Sequence, residues 1–154
     1  MARFNVVAMG GTFDIIHKGH IALLDGAFSI SSKVIIGLTG DDLAKRKGKN
    51  LRHTYEQRLN TLKKLIDSRF QNKSYVISKL DNDFGPAVIE GDVEALVVSD
   101  ETAHQGDALN SLRAQRNLGR VDVVVVPMVL AGDGKRISTT RIRNMEIDSD
   151  GNML

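Results

Sequence analysis

The 154-residue chain has no Cys, no Trp, two Pro and only 5% aromatic residues. Each shortage closes a class of function. Without Cys there is no disulfide scaffold, no thiolate zinc site and no Cys nucleophile. Sparse aromatics argue against a stacking platform for single-stranded nucleic acid. Net charge is equally scarce: 21 Lys and Arg stand against 19 Asp and Glu, a formal +2, too little for a general polyanion binder. No apolar run approaches the ~20 residues of a transmembrane helix, and the N-terminus lacks the long apolar region and cleavage site of a signal peptide. The reading is a cytoplasmic protein with neither a membrane nor a nucleic-acid partner. What is present, 42% hydrophobic and 26% charged residues, has the proportions of an ordinary globular protein. The length fits one domain over residues 1–154.

Short apolar runs at 6–9, 34–38, 75–77, 95–98 and 121–126 read as five strands. Helical spacing follows the first, through Ile21, Leu23, Leu24, Ala27 and Phe28, until the serines at 29–32 end it. Residues 39–52 are polar and basic, and read as a loop or an irregular helix. Thr54 and Gln57 have the spacing of a capping box, and Leu59, Leu62, Ile66 and Phe70 then mark one helical face. Residues 81–86 form a turn-rich loop before a short helix around 87–90, and another helix runs through Ala108, Leu109, Leu112 and Leu118. Residues 129–134 are a loop, and Ser138 N-caps a last short helix over 139–144. Strands alternating with helices predict an α/β fold with a mainly parallel five-stranded sheet flanked by helices.

The densest chemical cluster is Gly10-Gly11-Thr12-Phe13-Asp14, followed by His17-Lys18-Gly19-His20. It lies at a strand-to-helix junction, where open α/β sheets bind ligands and where backbone N–H groups meet anions. Neither the dinucleotide fingerprint nor the Walker loop is present. His17 and His20, three apart at a helix start, can point at one group. No further ligand has metal-binding spacing, so no side-chain metal site is expected. Asp14 has the simpler reading of a cap on local backbone. Residues 45–52 carry five basic residues and no acidic one, and 135–143 carry four and none, so the remaining chain has a net charge of −7. A basic loop after the second strand can close over a polyphosphate. Ser138, Thr139 and Thr140 offer hydroxyls and N–H groups beside Arg141 and Arg143, a phosphate site by its physics. Residues 132–135 are a turn.

These motifs, Gly11-Thr12-Phe13-Asp14 with His17-Lys18-Gly19-His20 and Ile137-Ser138-Thr139-Thr140-Arg141-Ile142-Arg143, resemble the two signatures of the T/H-x-G-H nucleotidyltransferase superfamily. With Ser99, Glu101 and Thr102, the later Asn110 and Arg113, and Glu146-Ile147-Asp148, the chain from about Val6 to Asp148 looks like the archaeal and eukaryotic phosphopantetheine adenylyltransferase family. The resemblance implies a single-domain Rossmann-like nucleotidyltransferase fold and transfer of AMP from ATP to 4′-phosphopantetheine, with Mg²⁺ entering on the ATP. It implies catalytic roles for His17, His20 and Lys47, and ATP binding by Gly10, Gly11, Thr12, Phe13, Ser138, Thr139, Thr140 and Arg141. On the acceptor side stand Thr12, Lys49, Arg58, Ser99 and Arg113; Ser99 occupies the place of an acceptor-binding arginine of the bacterial form. Rival readings are an FMN adenylyltransferase, a cytidylyltransferase for a small phosphoalcohol, and a non-catalytic nucleotide-binding module.

Overall fold

In the computed structural model, which describes residues 3–85, 91–100, 102–127 and 129–154, the five apolar runs become five parallel strands. They are β1 (Phe4–Gly11), β2 (Ser31–Thr39), β3 (Ser74–Leu80), β4 (Ala95–Ser99) and β5 (Asp122–Val126). The helices are α1 (Lys18–Ile30), α2 (Asp41–Arg46), α3 (Tyr55–Arg69), α4 (His104–Gln115) and α5 (Thr139–Arg143). The order across the sheet is β3-β2-β1-β4-β5, and every pairing is parallel.

Residues successive along a strand face opposite sides of a sheet, and the two sides here are built separately. Val7, Met9, Val34, Ile36 and Val97 join Leu24, Phe28, Leu62 and Ile66 of α1 and α3 in one core. Their alternates Ala8, Ile35, Leu96 and Val98 pack with Leu109 of α4 and Val121 in a second. Both faces of the central strands are therefore covered, which is why their sequences read as unbroken apolar runs. Burial of Leu62 and Ile66 is complete, so truncating either to Ala costs about 2–5 kcal/mol.

Several boundaries differ from the sequence expectation. Residues 41–46 form a regular helix, with Asp41 and Asp42 in its first turn and Lys45 and Arg46 in its last, the charge order that suits the helix dipole. The fourth helix stops at Gln115, because Asn117 adopts a left-handed φ of 60° and Leu118 falls beyond it. The run at 121–126, the most β-prone in the chain, forms an edge strand, where Val123 and Val125 are 37% and 43% exposed. The short helix expected around 87–90 lies outside the described residues. Among the described residues, no helix is long and apolar enough to cross a membrane.

The strand order reverses between β1 and β4. That is the topological switch point of a doubly wound sheet, where the chain departs to opposite faces and leaves a crevice beyond the carboxyl ends of the strands.

Candidate active site

A cavity of about 350 Å³ opens at that point. Gly10, Gly11 and Thr12 at the end of β1 form its floor; His17, Gly19 and His20 form one wall and Lys49 another. Ser99 and Thr102 close it at the β4 end, and Arg136, Ser138, Thr139, Thr140 and Arg143 line the side nearest the C-terminus.

The two histidines build their own geometry. His17 is the N-cap of α1, and its Nδ1 accepts from the Gly19 N–H at 3.0 Å, while His20 Nδ1 accepts from the His17 N–H at 3.2 Å. This is a capping box made with imidazoles instead of a hydroxyl and a carboxamide. Because each Nδ1 is an acceptor, each neutral ring carries its proton on Nε2. The rings stack with centroids 3.9 Å apart. Burial, then the charge of Arg136, lowers the pKa of His17 to about 4. Burial, then His17 and Arg136, lowers that of His20 to about 3. Both are neutral donors at pH 7. Gly19 is required between them: a Cβ there would lie 2.8 Å from Cε1 of His17. Phe13, buried with a left-handed φ of 50°, sets its ring 4.9 Å from His20. That conformation is uncommon for a bulky residue, and outliers of this kind cluster at functional sites.

The basic loop after α2 supplies Lys49, whose Nζ donates to Thr12 Oγ1 at 2.9 Å. Burial first, then Lys47 and Arg58, lowers the Lys49 pKa. Lys47 points elsewhere, pairing with Asp83, and does not line the cavity. Asp14 does more than cap its own turn. Its buried carboxylate accepts the N–H groups of Arg52 at 3.1 Å and His53 at 3.0 Å, fastening the loop's far end.

Two expected acceptor cations are placed differently. Arg58, 1% exposed, donates to the carbonyls of Thr12 (3.0 Å), Thr39 (2.6 Å) and His53 (3.2 Å) and to Asp41 (2.8 Å). It supports the floor from below. Arg113, 2% exposed in α4, donates to Gly119 O at 2.6 Å and does not line the cavity. Asn110 is likewise internal, bonded to both backbone groups of Val121. Ser99 stays at the cleft and meets Thr102 Oγ1 at 3.1 Å; Glu101 lies outside the described residues.

Ser138 caps α5, accepting from the Arg141 N–H at 3.2 Å. Ser138, Thr139 and Thr140 all face the cavity, but Arg141 turns from it toward Asp133 and Glu146. Arg136 and Arg143 line the cavity instead. The only sign of Arg136 in the sequence is its place in the basic run at 135–143. At the mouth, Arg143 Nη1 donates to Asn50 O, and Arg52 Nη2 donates to Arg143 O at 3.3 Å. The two basic segments thus cross-brace each other. Among the described residues, no group of three or more His, Asp or Glu is arranged to hold a metal ion.

The chain matches the Cytidylyltransferase-like family over residues 8–145. It is 38% identical over 152 residues to the phosphopantetheine adenylyltransferase of Methanothermobacter thermautotrophicus, covering 99% of this chain and 91% of that protein. The phosphopantetheine adenylyltransferase of Pyrococcus furiosus is also 38% identical over 152 residues, 97% of this chain and 94% of that protein. A crystal structure of a protein of unknown function from Archaeoglobus fulgidus superposes with a TM-score of 0.70 at 28% identity, covering 80% of this chain and 89% of that one. With its stacked histidines at the switch point and near end-to-end similarity to these relatives, the chain belongs to the cytidylyltransferase-like family, among the phosphopantetheine adenylyltransferases.

Proposed function

We infer that this protein transfers the adenylyl group of ATP to 4′-phosphopantetheine, releasing pyrophosphate and forming dephospho-coenzyme A, in the cytoplasm. The observation that carries this reading is the near end-to-end similarity to phosphopantetheine adenylyltransferases, 38% over 99% of the chain in one case.

The attacking phosphate monoester is already an anion near neutral pH, so no general base is needed to make the nucleophile. The site has to bring two anions into line and absorb the charge that moves to the leaving group. His17 and His20 contribute Nε2–H donors to the ATP phosphates. Being neutral, they donate without holding a competing proton equilibrium near pH 7. Thr12 and Lys49, already hydrogen-bonded to each other, orient the attacking phosphate from the other side. Ser138 and Thr140 offer hydroxyls to the polyphosphate, while the Thr139 hydroxyl donates to Ile15 O at 3.3 Å and ties the start of α5 to the turn before α1. Lys47 would reach a phosphate only by leaving Asp83.

Mg²⁺ enters on the nucleotide, where it neutralises phosphate charge when bound. The donors around the cleft fit that arrangement. They are neutral imidazoles, hydroxyls and cations, suited to phosphate oxygens, and the one carboxylate among the described lining residues, Asp14, is engaged by the N–H groups of Arg52 and His53.

A pyrophosphate-release assay tests the reading. ATP with 4′-phosphopantetheine is expected to release pyrophosphate and give dephospho-coenzyme A by mass. Turnover only with FMN, or only with CTP and a phosphoalcohol, would overturn it. Nucleotide binding with no turnover on any acceptor would favour a binding module.

A further inference from the structure

Arg136 is the cleft cation that the sequence motifs do not single out. Three contacts fix its backbone. It forms an antiparallel bridge with Leu130. The next residue, Ile137, is 2% exposed in a small core with Ala131 and Ile147, and its N–H donates to Val129 O at 3.2 Å. The Arg136 carbonyl accepts from Arg141 Nη1 at 2.9 Å, and Arg141 is itself held by Asp133 and Glu146. The arginine expected to grip phosphate is thus engaged in holding a different arginine at the cavity wall.

The position of Arg136 divides the labour of the cleft. It lines the same cavity as His17, His20 and Ser138, and its charge acts on both imidazoles, lowering the pKa of each. Lys49 stands across the cavity against Thr12. Between them, at the end of β4, Ser99 is uncharged. Positive charge therefore meets a ligand from two separate walls. A reaction that joins two anions requires that separation, since one cluster of cations would draw both into the same place.

We propose that Arg136 is a catalytic residue that binds the β- and γ-phosphates of ATP and holds pyrophosphate as it departs, giving the cleft its preference for a nucleoside triphosphate over a monophosphate. The proposal rests on the adenylyl-transfer reading. An oxygen of the acceptor phosphate forms a bond to the α-phosphorus. The bond from that phosphorus to the α–β bridging oxygen breaks, and its electron pair leaves with pyrophosphate. No proton transfer or redox change is involved. The negative charge gained by the leaving group falls on the side of the cleft occupied by Arg136. A guanidinium suits this role because its planar fork can hold two phosphate oxygens at once.

Calorimetric titration with ATP and with AMP, on the wild type, Arg136→Gln and Arg136→Lys, tests the assignment. Arg136→Gln is expected to weaken ATP by about tenfold or more, the loss of one charge-assisted contact, with AMP changed less than about twofold. Initial rates should show a raised KM for ATP, weaker inhibition by pyrophosphate and an unchanged KM for the acceptor. Arg136→Lys should recover part of the ATP affinity. ATP affinity within about twofold of wild type in Arg136→Gln, or an equal loss for AMP, overturns the proposal. A wild type that binds ATP but releases no pyrophosphate with any acceptor overturns the adenylyl-transfer reading instead. The ATP-to-AMP comparison then still decides whether Arg136 holds the triphosphate. Circular dichroism on each variant separates loss of binding from loss of fold.

Discussion

The Lys49 ammonium donates to the Thr12 hydroxyl across 2.9 Å, joining residues 37 positions apart. Lys49 is on the basic loop and Thr12 ends the turn after β1, so this one bond carries the loop's charge onto the cleft floor. Lys49→Ala is expected to lower kcat/KM for the acceptor by about 10- to 100-fold, the worth of one charged hydrogen bond, and to leave ATP affinity nearly unchanged. Because the two groups act together, Thr12→Ala with Lys49→Ala should cost less than the sum of the single changes. Lys47→Ala, outside the cavity, should cost far less than Lys49→Ala. Steady-state kinetics of the four variants checks all three statements.

Acid should loosen the fold through the histidine pair. The folded pKa values, about 4 for His17 and about 3 for His20, lie below the ordinary 6.5. The unfolded chain therefore binds more protons between these limits. The stability the neutral pair contributes is fully present above pH 6.5 and is lost as pH falls toward 4 and then 3. Urea denaturation from pH 4 to 8 should show stability rising with pH in that window, with a shallower slope in His20→Gln. An imidazole resonance of His17 or His20 titrating near 6.5 in the folded protein would contradict this.

Gly19→Ala should separate stability from activity. Alanine is the better helix former by about 1 kcal/mol, yet its Cβ would sit 2.8 Å from His17 Cε1. The ring must swing, and its Nε2–H then misses the ligand. Thermal melting is expected to change little, while kcat/KM falls by about tenfold or more, as misplacement of a catalytic group does. Full activity in Gly19→Ala would show that the His17 ring is free to vary.

Arg58→Leu should act mainly on folding. Its guanidinium is buried and pairs with three carbonyls and Asp41. Removing the charge leaves those groups unpaired and is expected to cost about 3–5 kcal/mol by chemical denaturation. Arg58→Lys cannot span the same partners and should recover only part of the loss.

The elements that were legible in the sequence are those whose local signal agrees with their place in the fold. Thr54 and Gln57 form the capping box that their spacing suggested, with Leu62 and Ile66 buried behind it. The histidine pair was visible because cap and helix start lie within four residues. The second helix was not, since six residues with only Leu43 and Ala44 buried carry no periodic stripe. The run at 121–126 read as a strand and forms β5, but nothing in it marked the edge of the sheet: β-propensity reports fit to a pleated surface, and an edge strand offers one as well as a central strand does. The arginines were the hardest to read. Whether Arg58, Arg113, Arg136 or Arg141 faces ligand or interior depends on partners such as Thr12, 46 positions from Arg58. An arginine has the same composition signal in either place.

The Lys18 N–H at the start of α1 donates to Ser149 O at 3.1 Å, and Arg52 and Arg143 meet across the cleft mouth. The cleft is thus shared between segments far apart in sequence, and it exists only while residues 136–149 stay docked against the start of α1 and the basic loop. A local opening that lifts this segment away removes one wall and leaves the two hydrophobic cores intact. A triphosphate that touches both walls opposes that opening, so the ligand fastens the segment that completes its own site.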